Sequence, residues 1–232
     1  MPPLDLRQPG LPSQQIERHT FLFADLAGYT ALTEAHGDEH AADAAAEFCA
    51  AVRALLDRHD AEEVKVIGDA MLVRARDPDQ GVRLAARIVS GLGARHRRLG
   101  IRVGVHTGTA VRRGDDWFGS AVNLASRVAD LAESGEVLLT DATREKLQTA
   151  LAVRELGPRR FKNVAGPLSV YALVRERDAA SLPVDPVCRM AVDPEHAAAR
   201  RTLGDTEYFL CSSECARTFA RDPGRYLGRG FS

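Results

Sequence analysis

The chain has 232 residues, 45% of them hydrophobic, which is enough to bury a core. Its 31 Lys and Arg nearly cancel its 32 Asp and Glu, leaving a formal net charge of −1. That balance argues against a general nucleic-acid or acidic-membrane binder, which carries a basic excess, and no apolar run approaches the roughly 20 residues needed to span a bilayer.

Residues 1–17 lack the apolar stretch of a secretory signal and read as a disordered lead-in. A cytoplasmic protein is therefore expected. From residue 18 to 175, strand-like and helix-like segments interleave. "HTFLFADL" is a strand ending in Asp25. "AGYTALTEAHG" is a short helix, and "DEHAADAAAEFCAAVRALLDRHD" is a longer one with Asp38 as its expected N-cap. Cys49, inside that Ala-rich pattern, reads as a small core residue. "AEEVKVIGDAMLVRAR" reads as two strands joined at Gly68-Asp69, and the stretch 64–73 reads as buried. A helix follows from residue 77, with Pro78 near its start. Next come a strand "IRVGVHTGTAVRR", a helix "GSAVNLASRVADLAESG", a strand "EVLLT", a helix "DATREKLQTAL" and a closing strand "LSVYALVRER". This interleaving predicts an α+β sandwich, helices covering a sheet.

Residues 176–183 are charged, then small, with Pro183 among them, and read as a linker. Residues 184–228 are too few for a large apolar core but hold Cys188, Cys211 and Cys215. Small domains of this kind often need a staple. A C-x3-C pair with a third Cys upstream is a thiolate set for Zn2+ or another soft or borderline metal. No fourth ligand is evident in the pattern; His196 is the nearest candidate, although "DPEHAAARR" reads equally as an exposed helix.

Chemistry-bearing residues concentrate at element ends. Asp25 closes an apolar strand, and Asp69 sits at a hairpin turn. Carboxylates so placed can share divalent cations such as Mg2+. "LAGYT", after Asp25, opens a helix whose first N–H groups can receive a phosphate. Asn123 and Arg127, spaced i, i+4, share a helix face. Asp116 lies seven residues before Asn123, with Asp115 the rival position.

Together "FADLAGYT", "VKVIGDAM", "VGVHTG" and "DWFGSAVNLASR", in this order, resemble the class III nucleotidyl cyclase catalytic domain. The resemblance covers about residues 19 to 175. It implies a ferredoxin-like (βαββαβ) cyclase sandwich and a homodimer, with active sites at the interface. It further implies an adenylate cyclase: ATP becomes 3′,5′-cyclic AMP and pyrophosphate by attack of the ribose 3′-hydroxyl on the α-phosphate. Two Mg2+ or Mn2+ would be held by Asp25, Asp69 and the Leu26 carbonyl. The amides of Ala27, Gly28, Tyr29 and Thr30 would receive the triphosphate, and Lys162 would contact it. Asn123 would orient the ribose, Arg127 would stabilise the transition state, and Lys65 with Asp116 would read the base. Lysine only donates and ionised aspartate only accepts. That pair complements adenine at N1 and N6 and opposes guanine at the same places, so ATP is expected over GTP.

Two points depart from the family pattern. Asn163 follows Lys162 where a Gly is usual, and no N-terminal sensor or anchor is evident. The segment "DPVCRMAVDP" with "YFLCSSECARTFARDPGRYL" resembles the YHS domain, a small α+β metal-binding module. That resemblance implies metal or redox tuning through Cys188, Cys211 and Cys215, and a docking partner. Alternatives are a regulator built on an inactive cyclase fold and a guanylate cyclase.

Overall fold

The computed structural model describes residues 16–92, 99–174 and 182–227. The expected lead-in, apart from residues 16 and 17, and most of the expected linker lie outside those residues. Strand β1 (Ile16–Ala27) leads into α1 (Tyr29–His36) and α2 (Asp38–Leu56). The hairpin β2 (Ala61–Ile67) and β3 (Ala70–Ala75) precedes α3 (Pro78–Arg87). The chain returns through β4 (Gly100–Arg113), β5 (Asp116–Phe118), α4 (Ser120–Leu131), β6 (Val137–Thr140) and α5 (Asp141–Arg144). Strands β7 (Val153–Arg160) and β8 (Pro167–Leu173) complete this unit.

The sheet order is β2-β3-β1-β4-β6-β8-β7, with β5 paired to β4. Its first four strands, with the helices between them, make the βαββαβ order of a ferredoxin-like sandwich. β1 is central, antiparallel to both β3 and β4. Side chains alternate across a strand. Leu22, Ala24 and Leu26 therefore pack into the cluster holding Phe48 and Val52 of α2 and Leu84 of α3. Phe21 packs against Ala121 and Ala125 of α4. Asp25 shares its strand face with Phe21, so the sheet itself aims the carboxylate to the α4 side. A Cβ at Gly104 would lie 2.1 Å from the Ala129 amide nitrogen. Glycine there lets α4 lie directly on β4.

Several local details differ from the sequence reading. Asp38 is the first residue of α2, and Gly37 (φ 86°) holds the cap position. Asp77 does cap α3, accepting from the Gln80 amide at 2.9 Å. The helix expected after Thr140 stops at Arg144. β7 carries Gly157, Pro158 and a register shift, which hid its alternation. β3 is wholly buried, but β2 is half-exposed, with Val66 and Ile67 39% and 49% accessible. The stretch 64–73 is thus one core strand and one edge strand.

The tail forms the hairpin β9 (Ala199–Leu203) and β10 (Thr206–Leu210), then α6 (Ser213–Arg221) and α7 (Gly224–Leu227). Residues 194–196 make a 3-10 turn running into β9, not an exposed helix. Val187, Cys188, Met190, Leu210, Cys215 and Phe219 join the same buried cluster as Leu26 and Leu32. A bridge between Leu99 and Met190 adds backbone pairing. The tail therefore packs onto the helical side of the larger unit, near the end of β1.

Candidate active site

β1 and the β2–β3 hairpin bring the two acidic positions together. Asp25 pairs with Ala70 in register, which places the preceding Asp69 beside it. Burial, then repulsion from the Asp25 charge, pushes the Asp69 pKa up to about 6. Facing carboxyls, one driven to keep its proton, are an oxygen donor set whose repulsion a divalent cation relieves. Asp25 also faces a cation already: Arg102, its register partner on β4, donates to Asp25 Oδ2 from Nε at 2.8 Å and from Nη2 at 2.5 Å. Arg102 was not singled out in the sequence, where it is one of many arginines.

Past Leu26, which is buried, the chain turns at Gly28 with φ 94°, a left-handed conformation suited to glycine. α1 starts there with no side-chain cap. The first N–H groups of a helix have no intrahelical acceptor, and those of α1 follow directly on the Asp25 end of β1.

Lys65 on β2 does not pair with Asp69. Its Nζ donates to Asp116 Oδ2 at 2.7 Å and lies 5.5 Å from the Phe118 ring centre. The Trp117 amide donates to the other oxygen, Asp116 Oδ1, at 2.8 Å. Asp115 points into solvent, 3.9 Å from Arg112. The donor and the acceptor of the proposed base reader thus lie side by side and half-exposed.

On α4, Asn123 is exposed, and Arg127 Nη1 donates to the Lys162 carbonyl. Asn163 adopts φ 61°. Asn tolerates that left-handed conformation better than most residues, which accounts for its standing where a Gly is usual. Lys162 keeps its own side chain exposed. An arginine has five N–H donors, so one bond to Lys162 fixes the fork and leaves donors over.

The family described as "Adenylate and Guanylate cyclase catalytic domain" matches residues 11–175. The chain belongs to that family. A pH-sensitive adenylate cyclase of Mycobacterium tuberculosis is 33% identical over 174 residues, 73% of this chain and 44% of that protein. The crystal structure of an adenylate/guanylate cyclase/hydrolase from Silicibacter pomeroyi is 27% identical, with a TM-score of 0.62, covering 71% of this chain and all of that one. The adenylyl cyclase CyaB from P. aeruginosa shares the fold at 22% identity, with a TM-score of 0.64 over 73% of this chain. The chain spans less than half the length of these curated relatives. No helix among the described residues is long and apolar enough to cross a membrane.

Beyond the cyclase match, the three tail cysteines are free thiols drawn into one place. Cys188 Sγ lies 3.4 Å from Cys211 Sγ, which lies 3.7 Å from Cys215 Sγ. Hydrogen bonds from the Cys188 and Cys211 thiols hold the Cys215 thiol well below its ordinary pKa. The fully buried Asp185 organises the loops that carry them. Its Oδ1 accepts from the Val187 and Cys188 amides, and its Oδ2 accepts from the Cys211 amide at 2.7 Å. His196 is not among these groups: it is exposed and bonds to Asp193 at 2.9 Å. The residue that does reach the thiols is His36, at the end of α1.

Proposed function

We propose that the chain is an adenylate cyclase, converting ATP to 3′,5′-cyclic AMP and pyrophosphate. The observation that carries this reading is the Lys65–Asp116 pair, 2.7 Å apart. Its donor and acceptor match adenine N1 and the N6 amino group, and each would be opposed by guanine. In the reaction the ribose 3′-oxygen bonds to the α-phosphorus, and the bond from phosphorus to the pyrophosphate oxygen breaks.

Asp25, Asp69 and the Leu26 carbonyl would hold two Mg2+ or Mn2+. When bound, these ions supply Lewis-acid stabilisation of the phosphate oxygens and a lowered pKa at the 3′-hydroxyl. The amides of residues 27–30 receive the triphosphate, joined by the Lys162 side chain. Asn123 orients the ribose. Arg127 directs planar donors toward the equatorial oxygens as charge builds in the transition state.

The site is shared between two copies of the chain. Carboxylates and phosphate loop come from one protomer; Lys65, Asp116, Asn123 and Arg127 come from the other. Half-exposed Val66, Ile67 and Phe118 beside Lys65 support this. They leave an apolar strip at the sheet edge, where the second copy would pack. Residues 184–228 act as a YHS-type module that tunes activity by metal or redox state.

The test is direct. Purified chain with ATP and Mg2+ or Mn2+ yields cyclic AMP, and GTP yields far less cyclic product. Absence of cyclic AMP, where a control cyclase works, overturns the activity. Retained activity in Asp25→Ala overturns the site.

A further inference from the structure

We infer that His36 of the cyclase unit completes a four-ligand Cys3His metal site with Cys188, Cys211 and Cys215, bridging α1 and the tail. The inference rests on reading the tail as a metal module and is independent of cyclase activity.

One ligand atom from each residue lies within 4.8 Å of the others. The His36 Nε2 is 3.5 Å from Cys211 Sγ and 3.6 Å from Cys215 Sγ. Zn2+ bonds of about 2.3 Å to sulfur and about 2.0 Å to nitrogen, set tetrahedrally, separate the ligands by about 3.8 Å for two sulfurs and about 3.5 Å for sulfur and nitrogen. The observed S–S separations of 3.4 and 3.7 Å and S–N separations of 3.5 and 3.6 Å match four of the six edges of such a tetrahedron, and the other two, from Cys188 to Cys215 and to His36, are within 4.8 Å. Four protein ligands make a closed, structural site with no open position. Cys188 and Cys215 are buried, while Cys211 and His36 are half-buried, which leaves one side for entry. Asp185 and Ser212 supply an outer shell. Asp185 ties the Cys188 and Cys211 loops together, and Ser212 Oγ accepts from the Cys215 amide at 3.1 Å.

The site has a mechanical consequence. α1 runs from the phosphate-receiving turn at Gly28 to its last residue, His36. A metal ligated there joins the tail to the helix that carries that turn. Arg189, next to Cys188, lies against the other end of the same helix: a Cβ at Gly28 would stand 2.5 Å from the Arg189 Cβ. The tail thus touches α1 at both ends, at the metal ligand and at the turn.

The test uses the full chain, reduced, stripped of metal and titrated with Zn2+ alone, then with Co2+ as a spectroscopic probe. The expected stoichiometry is one Zn2+ per chain, and Co2+ gives the intense visible bands of a tetrahedral thiolate-imidazole site. Loss of an outer-shell partner weakens metal sites roughly 10- to 100-fold, so loss of the ligand in His36→Ala is expected to weaken Zn2+ binding by more than about 100-fold. His36→Cys, which keeps a donor, retains tight binding with a shifted Co2+ spectrum, and His196→Ala matches wild type. Zn2+ also slows hydrogen exchange across residues 29–36 in wild type and not in Cys211→Ser. Wild-type Zn2+ affinity in His36→Ala overturns the inference, as does a reduced chain that takes up no Zn2+, or exchange in α1 indifferent to Zn2+. No nucleotide is present, so failure of the cyclase reading is a separate result.

Discussion

Arg102 holds Asp25 through two hydrogen bonds to the same oxygen, at 2.8 and 2.5 Å. The guanidinium supplies, within the chain, positive charge where a divalent cation would supply more. Arg102→Ala should therefore make the fold lean on added metal. Without divalent cations, the unpaired, mostly buried carboxylate costs about 2 kcal/mol. Added Mn2+ should raise the melting temperature of the variant more than that of wild type. Equal shifts in thermal melts would show that Arg102 and the metal do not share Asp25.

Asp69 gives a pH signature with a defined sign. Its folded pKa is raised to about 6 from an ordinary 3.8, first by burial and then by Asp25. The folded chain thus holds a proton that the unfolded chain releases, and this group withdraws stability as pH rises from about 4 to about 6. Asp69→Asn removes that loss. At pH 7.5 without divalent cations it should unfold later, by about 1 kcal/mol once solvent screening is allowed for, while making no cyclic AMP. Chemical denaturation at pH 4 and pH 7.5 checks this: the variant's advantage should appear only at the higher pH.

Asp185 organises the cysteine-bearing loops by accepting from their backbone amides. Asp185→Asn loses acceptor capacity toward the Val187, Cys188 and Cys211 amides. Zn2+ affinity should drop about 10- to 100-fold. The Co2+ spectrum should keep its tetrahedral form, because all four ligands remain. A zinc-selective chelator used with Mg2+ in excess should raise KM for ATP more than it lowers kcat, because the Gly28 turn, proposed to receive the triphosphate, loses the tail packed on it. Unchanged KM would separate the metal site from the nucleotide loop.

Much of the candidate site was legible because its residues sit in contiguous stretches. Asp25 ends an apolar run, the hairpin announces Gly68-Asp69, and α4 shows its i, i+4 face. What was hidden depends on pairing between distant strands. Arg102 matters only because β1 and β4 align it with Asp25, and no local pattern marks one arginine of "IRVGV" as special. His36 reads as the last residue of a short helix before Gly37. Its partners come from the other end of the chain, so only packing reveals them. His196 drew attention because it is near the cysteines in sequence, yet its turn directs it to Asp193. β5 is three residues long and β7 is broken by Gly157 and Pro158, so neither showed the alternation that marks a strand. Asp38 resembles a cap by residue type, but the glycine before it, with φ 86°, takes that position.

Lys65 and Asp69 lie four residues apart on one hairpin and face different partners, Asp116 and Asp25. In the proposed homodimeric adenylate cyclase they serve two different active sites. Mixing Lys65→Ala chain with Asp69→Ala chain measures this most directly, with cyclic AMP as the readout. Each variant alone should be inactive. Random mixing should place one intact site in each heterodimer and restore about a quarter of wild-type activity. No cyclic AMP from the mixture, with heterodimers demonstrated and wild type active, would contradict the shared site.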